Sequence, residues 1–134
     1  MKLNCVVIED SSLQRIVITK LVNNHPNLKL IGDFSNPIEA KSCITANAID
    51  VVLLDIEMPE ENGFKLFDYF DIYNFEVIFT TAYKQYAIEA IKFAALDYLL
   101  KPINYIDLRD VLVRLEKKQN TSSNTDQIEA FLSN

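Results

Sequence analysis

Val51-Val52-Leu53-Leu54-Asp55 is a continuous apolar run that stops at a carboxylate. A short run of this kind, β-branched and without alternation, reads as a strand buried on both faces, the situation of a parallel sheet covered by helices. The pattern recurs. Cys5-Val6-Val7-Ile8 runs into Glu9-Asp10, Val77-Ile78-Phe79 into Thr80-Thr81, and Asp97-Tyr98-Leu99-Leu100 into Lys101-Pro102. Open α/β sheets bind ligands beyond the carboxyl ends of their strands. Carboxylates, hydroxyls and one ammonium therefore gather at the edge where a site is expected.

Strand-like runs at Leu3–Ile8, Lys29–Phe34, Val51–Asp55, Glu76–Thr80 and Asp97–Leu100 alternate with amphipathic stretches. That alternation predicts βα units and a parallel sheet, and right-handed crossovers put helices on both faces. In the first helix Ser11 and Gln14 have capping-box spacing, and Leu13, Ile16, Val17 and Leu21 recur on one face. Asn23-Asn24-His25-Pro26 ends it, with His25 expected to be exposed and without a role. The second helix takes Asn36 as cap and Pro37 as its first residue, with Ala40 and Ile44 inward. A third follows Asn62-Gly63 with Phe64, Leu66, Phe67 and Phe70, and a fourth spans about Gln85–Phe93 with Tyr86, Ala87 and Ala90. The fifth runs from Tyr105 to Lys118 on Ile106, Leu108, Val111, Leu112 and Leu115. Residues 119–134 turn polar and aperiodic around Gln119–Thr125 and read as a linker or tail leading toward a further, C-terminal output domain.

A chain of 134 residues suits one core, here residues 1–118. No apolar run approaches the roughly 18 residues of a membrane span, and the N-terminus leads straight into a strand. Cys5 and Cys43 make no disulfide framework, so a reducing cytoplasm is expected. A net charge of −6 argues against this segment gripping nucleic-acid phosphates itself.

Glu9, Asp10 and Asp55 form a carboxylate cluster if the first and third strands are neighbours, as they are in the order 2-1-3-4-5, at the topological switch point. Such a cluster repels itself unless a cation lies within it, and hard oxygens with spare water positions suit Mg²⁺. An aspartate beside Mg²⁺ can act as nucleophile toward phosphorus and form an acyl phosphate. Lys101 would supply a point charge to the incoming anion and Thr81 a hydroxyl donor. Taken singly, each residue has a plain structural reading: a turn aspartate, an acidic helix start, a strand-end hydroxyl, a solvated lysine. Taken together, four separate strand ends carry complementary groups.

Those motifs, with Asp55-Ile56-Glu57-Met58-Pro59 and Asn62-Gly63 in order, resemble a response-regulator receiver domain of two-component signalling over residues 3–118, a five-stranded flavodoxin-like fold. The resemblance implies Asp55 as phosphoacceptor and Asp10 as direct Mg²⁺ ligand, with the Glu57 backbone carbonyl as a further ligand and Glu9 as outer-shell companion. It implies Thr81 as switch hydroxyl, Tyr98 as switch aromatic, Lys101 as charge partner and a cis bond before Pro102. It also implies a histidine kinase as phosphodonor. Phosphorylation would then switch the fourth-helix, fifth-strand and fifth-helix surface to control homodimerisation and an output domain, through which alone DNA would be bound. Such a domain catalyses its own Mg²⁺-dependent phosphorylation and dephosphorylation and is not a turnover enzyme. Thr81-Ala82-Tyr83, Tyr86-Ala87 and the run Ala95–Ile103 resemble the LytR/AlgR-type subgroup linked to LytTR DNA-binding domains. The acidic pair is Glu-Asp where Asp-Asp is commoner, and Tyr83 is bulky beside the expected phosphoryl site, where it would obstruct hydrolytic water, while Glu57 would work the other way if its carboxylate positions water.

Two other classes use related chemistry. An aspartate-nucleophile phosphatase of haloacid-dehalogenase type wants Asp-x-Asp on one strand, against Asp55-Ile56-Glu57 here. A flavodoxin-like FMN carrier wants Ser, Thr or Gly after the first strand, where Glu9-Asp10 would repel phosphate.

Overall fold

The Val51–Asp55 run forms a strand with every residue buried, β3 in chain order, at the centre of the sheet. The structure is a computed structural model and describes residues 2–57, 63–70, 74–85 and 97–132. Around β3 lie β1 (Leu3–Ile8), β2 (Leu28–Phe34), β4 (Glu76–Thr81) and β5 (Asp97–Leu100). All pairings are parallel and the order is β2-β1-β3-β4-β5, as the alternation of elements predicts.

Helices cover both faces. Ser12–Asn24 forms α1, Pro37–Ala46 forms α2 and Tyr105–Leu132 forms α3. Ser11 Oγ accepts from the Gln14 N–H (3.3 Å) and Asn36 Oδ1 from the Glu39 N–H (2.9 Å), the two caps expected from sequence. Asn104 Oδ1 does the same for α3 through the Asp107 N–H. The segment after Asn62-Gly63 is a 3₁₀ helix over Gly63–Tyr69 rather than an α-helix. Its aromatic-rich sequence has modest α propensity, and three residues per turn set Phe67 and Phe70 over one another against the core. The fourth predicted helix starts at Lys84-Gln85; Tyr86, Ala87, Ala90 and Phe93 lie outside the described residues.

Strand alternation sorts the core into two clusters. Cys5, Val7, Leu53, Ile78 and Leu99 face α1 and α3. Val6, Ile8, Val52, Leu54, Val77 and Phe79 face α2 and the 3₁₀ helix. Because side chains repeat every second residue, Val7 and Leu53 put Glu9 and Asp55 in phase on the α1/α3 face. The positions of the two carboxylates at the sheet edge are thus set by the core beneath them.

Three readings from sequence are corrected. In α1 the side toward the core is Ile18 and Val22, with Leu21 partly buried. Leu13, Ile16 and Val17 are 72, 52 and 48% exposed, although Leu21 shares their periodicity. The helix is apolar on more than one side, so periodicity alone selects the wrong stripe. His25 is buried, not exposed. Its Nδ1 accepts from the Asn27 N–H (3.1 Å), its own N–H donates to the Val22 carbonyl, and its ring stacks on Tyr105. Burial lowers its pKa, with Glu116 acting weakly the other way. The polar stretch after Lys118 is helical through Leu132 rather than an irregular linker. Asn, Thr and Ser are mediocre helix formers, but with no Gly or Pro nothing there breaks a helix already running.

Phe79 is fully buried between Phe67 and the sheet. Phe79→Ala is expected to cost about 3–5 kcal/mol, read as a lower urea midpoint at unchanged m. A loss under about 1 kcal/mol would show that the second cluster is not the tightly packed core these contacts imply.

Candidate functional site

Register brings the four strand exits together. β1 and β3 pair up to Ile8 and Leu54, so Glu9 and Asp55 leave the sheet side by side. Asp55 lies opposite Thr80 on β4, and Thr81 lies opposite Leu100 on β5, whose next residue is Lys101. The Lys101 N–H donates to the Thr81 carbonyl (2.8 Å), and the bond between Lys101 and Pro102 is cis.

Glu9 and Asp55 are buried to within 1%. Lys101 Nζ sits 2.5 Å from Glu9 Oε1 and 3.2 Å from Asp55 Oδ1. The Glu57 N–H donates to Asp55 Oδ1 (3.0 Å), and the Ser11 N–H donates to Glu9 Oε2 (3.1 Å). Arg15 donates to the Glu9 carbonyl (2.7 Å) while pairing with Asp33, which fixes the turn out of β1. Asp10 is partly exposed, yet one carboxylate oxygen from each of Glu9, Asp10 and Asp55 lies within 4.8 Å of the others. Asp55 Oδ2 accepts no hydrogen bond from the described residues, and Glu9 Oε1 has only its ion pair to Lys101.

Three carboxylates against one ammonium leave a surplus of negative charge. Burial raises the Asp55 pKa, and the adjacent Glu9 carboxylate raises it further; Lys101 and the Glu57 N–H oppose the shift without cancelling it. Burial alone would lower the Lys101 pKa, but Glu9 and Asp55 outweigh it and the net shift is upward. Lys101 is therefore firmly cationic. The orphaned Asp55 oxygen and the all-oxygen donor set fit a hard divalent cation.

Thr81 is fully buried and its hydroxyl donates to the Glu57 carboxylate, which also accepts from the Ala82 N–H (3.0 Å). The Tyr83 N–H donates back to Thr81 Oγ1 (3.0 Å), while the residue as a whole is 52% exposed. Tyr98 is partly buried in the α2-side cluster, opposite Phe79 in register. Sequence reasoning placed Glu9, Asp10, Asp55, Thr81 and Lys101 at one edge, and the structure brings them there. It did not foresee that Glu57 reaches Thr81 with its side chain. Nor did it single out Thr80, whose buried hydroxyl has no partner among the described residues. The signal for Thr80 was present: two residues past Ile78, it shares the face of Asp55.

Residues 5–113 match the model of the response regulator receiver domain. The chain belongs to that family. It is 37% identical over 130 residues to a response regulatory protein of Vibrio parahaemolyticus, covering 96% of this chain and 54% of that one. It is 28% identical to the transcriptional regulatory protein YpdB of Escherichia coli, over 88% of this chain and 50% of that one. The receiver thus spans about half the length of these curated relatives. Among solved structures it is similar to the response regulatory domain of MrkE from Klebsiella pneumoniae, with TM-score 0.74 and 26% identity over 89% of this chain and 99% of that one. The receiver domain of AraT from Geobacillus stearothermophilus gives TM-score 0.77 and 27% identity, over 92% and 99%. No described helix is long and apolar enough to cross a membrane.

A carboxyl whose folded pKa is raised binds protons more tightly folded than unfolded. Its contribution to stability is therefore greatest at low pH and is lost as pH rises above the ordinary carboxylate range. With divalent cations chelated, Asp55→Asn should stabilise this receiver at pH 7 by about 1 kcal/mol or more. The gap from the parent in urea unfolding should widen as pH rises from about 4. Destabilisation by Asp55→Asn at pH 7 would mean that Lys101 already offsets the buried charge.

Proposed function

We propose that this receiver accepts a phosphoryl group on Asp55 from a phosphohistidine of a histidine kinase, and that the acyl phosphate switches its surface. The observation that carries the reading is the Asp55 carboxylate itself. It is buried beside Glu9 and Asp10, reached by Lys101 and joined to Thr81 through Glu57.

An Asp55 oxygen attacks phosphorus, the phosphorus–nitrogen bond of the phosphohistidine breaks with its electron pair going to nitrogen, and the imidazole leaves as the neutral ring after taking a proton from water. The Glu57 N–H holds the Asp55 carboxylate in one orientation, which favours a single line of attack. Lys101 supplies positive charge where the phosphoryl oxygens gather. Asp10, Asp55 and the Glu57 backbone carbonyl would hold Mg²⁺, with Glu9 acting through its water shell. When bound, that ion neutralises the carboxylate surplus and the charge of the transferring group. The domain modifies itself once and turns over no external substrate.

Thr81 and Tyr98 belong to the same face of the sheet. Phe79 lies opposite Tyr98 and Thr81 is two residues further along that face. A Thr81 hydroxyl drawn toward the phosphoryl group vacates space on that side, and the aromatic ring moves into it. The readout is homodimerisation through the fourth helix, β5 and α3, which controls a C-terminal output domain following α3. A LytTR-type DNA-binding domain of a cytoplasmic transcription regulator fits the sequence motifs. The half-length coverage of the curated relatives leaves room for such a domain, and YpdB is a transcriptional regulatory protein.

Incubation with acetyl phosphate and Mg²⁺ should add one phosphoryl mass to the parent and none to Asp55→Asn. Labelling that survives in Asp55→Asn would move the nucleophile elsewhere. Asp10→Ala should lower both Mg²⁺ affinity and labelling rate, each by roughly tenfold or more. Parent-like Mg²⁺ binding by Asp10→Ala would remove that residue from the ligand set.

A further inference from the structure

Glu57 is fastened at both ends. Its N–H donates to Asp55 Oδ1 (3.0 Å), and its carboxylate oxygen Oε1 receives both the Thr81 hydroxyl and the Ala82 N–H (3.0 Å). The residue therefore bridges the phosphoacceptor and the switch hydroxyl. Two donors converging on one anionic oxygen make a small anion pocket, and a phosphoryl oxygen makes the same demand as a carboxylate oxygen.

From this we infer that the Glu57 carboxylate is a built-in competitor for the phosphoryl group, an autoinhibitory latch that holds Thr81 and Ala82 in the unphosphorylated state. The inference rests on the assignment of Asp55 as phosphoacceptor. A threonine hydroxyl has one proton to donate, and a backbone amide has one. While both serve Glu57, neither can serve a transferring phosphoryl group. Thr81 is fully buried, so its hydroxyl cannot turn to bulk water instead, whereas Ala82 is exposed and Glu57 partly buried. Among the described residues, another acceptor near the hydroxyl is the Tyr83 carbonyl, at a marginal 3.4 Å.

Phosphorylation then exchanges one anion for another on the same two donors. Glu57 has to swing out, taking its charge with it, before Thr81 can follow the phosphoryl group. The exchange makes switching less favourable than a vacant donor pair would, because the bonds gained replace bonds already made. In the unphosphorylated state Thr81 is then tied to Glu57 rather than free to sample the phosphoryl position. A ligand shifts a two-state element only by its differential affinity for the two states, and Glu57 takes away part of that difference.

The test uses this chain with acetyl phosphate and Mg²⁺ as donor. Glu57→Ala keeps the backbone N–H and carbonyl and removes the latch, so Asp55 should be labelled roughly tenfold faster than in the parent. Removing a nearby charge could accelerate labelling without any latch, and Thr81→Ala separates the two. In a Thr81→Ala background the gain from Glu57→Ala should shrink to about threefold or less. An undiminished gain there would reduce Glu57 to a repelling charge and overturn the latch.

Amide exchange supplies a second, phosphorylation-independent readout. The Ala82 N–H should exchange faster in unphosphorylated Glu57→Ala than in the parent. Unchanged Ala82 protection, or labelling no faster than the parent, would each overturn the inference. Failure to label Asp55 in the parent would overturn the phosphoacceptor assignment together with the latch. A labelled parent with no acceleration in Glu57→Ala overturns the latch alone.

Discussion

Two carboxylates buried side by side cannot both remain charged without a cation, and in this domain the ammonium of Lys101 does that work. It touches Glu9 and Asp55 at once. Its own position follows from β5, which delivers it one residue past the partner of Thr81. Glu9 comes from β1 and Asp55 from β3, so three strands and their register must be right for one ammonium to reach both. The sheet order is therefore a condition of the site, not only its scaffold. The compensation is also incomplete, since Asp55 keeps an oxygen without a hydrogen-bond partner among the described residues and a raised pKa. A site left short of positive charge in this way has affinity for a cation built into its resting energy.

Alternation along the strands divides the labour between the two faces. Glu9, Asp55 and Thr80 continue the α1/α3 side, beyond Val7, Leu53 and Ile78. Thr81 and Tyr98 belong with Phe79 to the α2 side. The acidic centre and the Thr81 and Tyr98 side chains thus belong to opposite faces and meet at the carboxyl edge. Glu57, in the loop after β3, is the residue that spans them, with its amide on one and its carboxylate on the other. The chain of contacts from Asp55 toward the Tyr98 side of the sheet runs through Glu57 and Thr81.

What the sequence made legible is what depends on short-range pattern. Strand-like runs, most of them continuously apolar, located all five strands, caps at Ser11 and Asn36 located two helix starts, and polar residues at strand exits located the acidic edge. Each of those signals is local and strong. The misread features depend on tertiary context. Leu13, Ile16 and Val17 have helical spacing as good as that of Ile18 and Val22, and the way α1 packs on the sheet decides which stripe is buried. His25 looks like a turn residue because its neighbours are Asn and Pro, but its ring satisfies the turn from inside. The Glu57 side chain was invisible for a different reason: it bonds Thr81 from 24 residues away, and nothing in its immediate neighbours says which way it turns.

The placement of these groups explains how a small domain tolerates them. Buried charge is costly, but here it lies at the ends of strands whose preceding residues are all core. β3 is anchored by Val51 through Leu54, β1 by Cys5 through Ile8 and β4 by Val77 through Phe79, each buried to within 3%. Hydrophobic burial of that order, roughly 2 kcal/mol per large apolar side chain, fixes the backbone before the carboxylates are considered. The unfavourable groups then ride on a frame that does not depend on them. Removing the charge at Asp55 relaxes the edge, whereas removing the ring of Phe79 attacks the frame. Function and stability occupy adjacent residues on the same strands, and the boundary between them falls where the apolar runs stop.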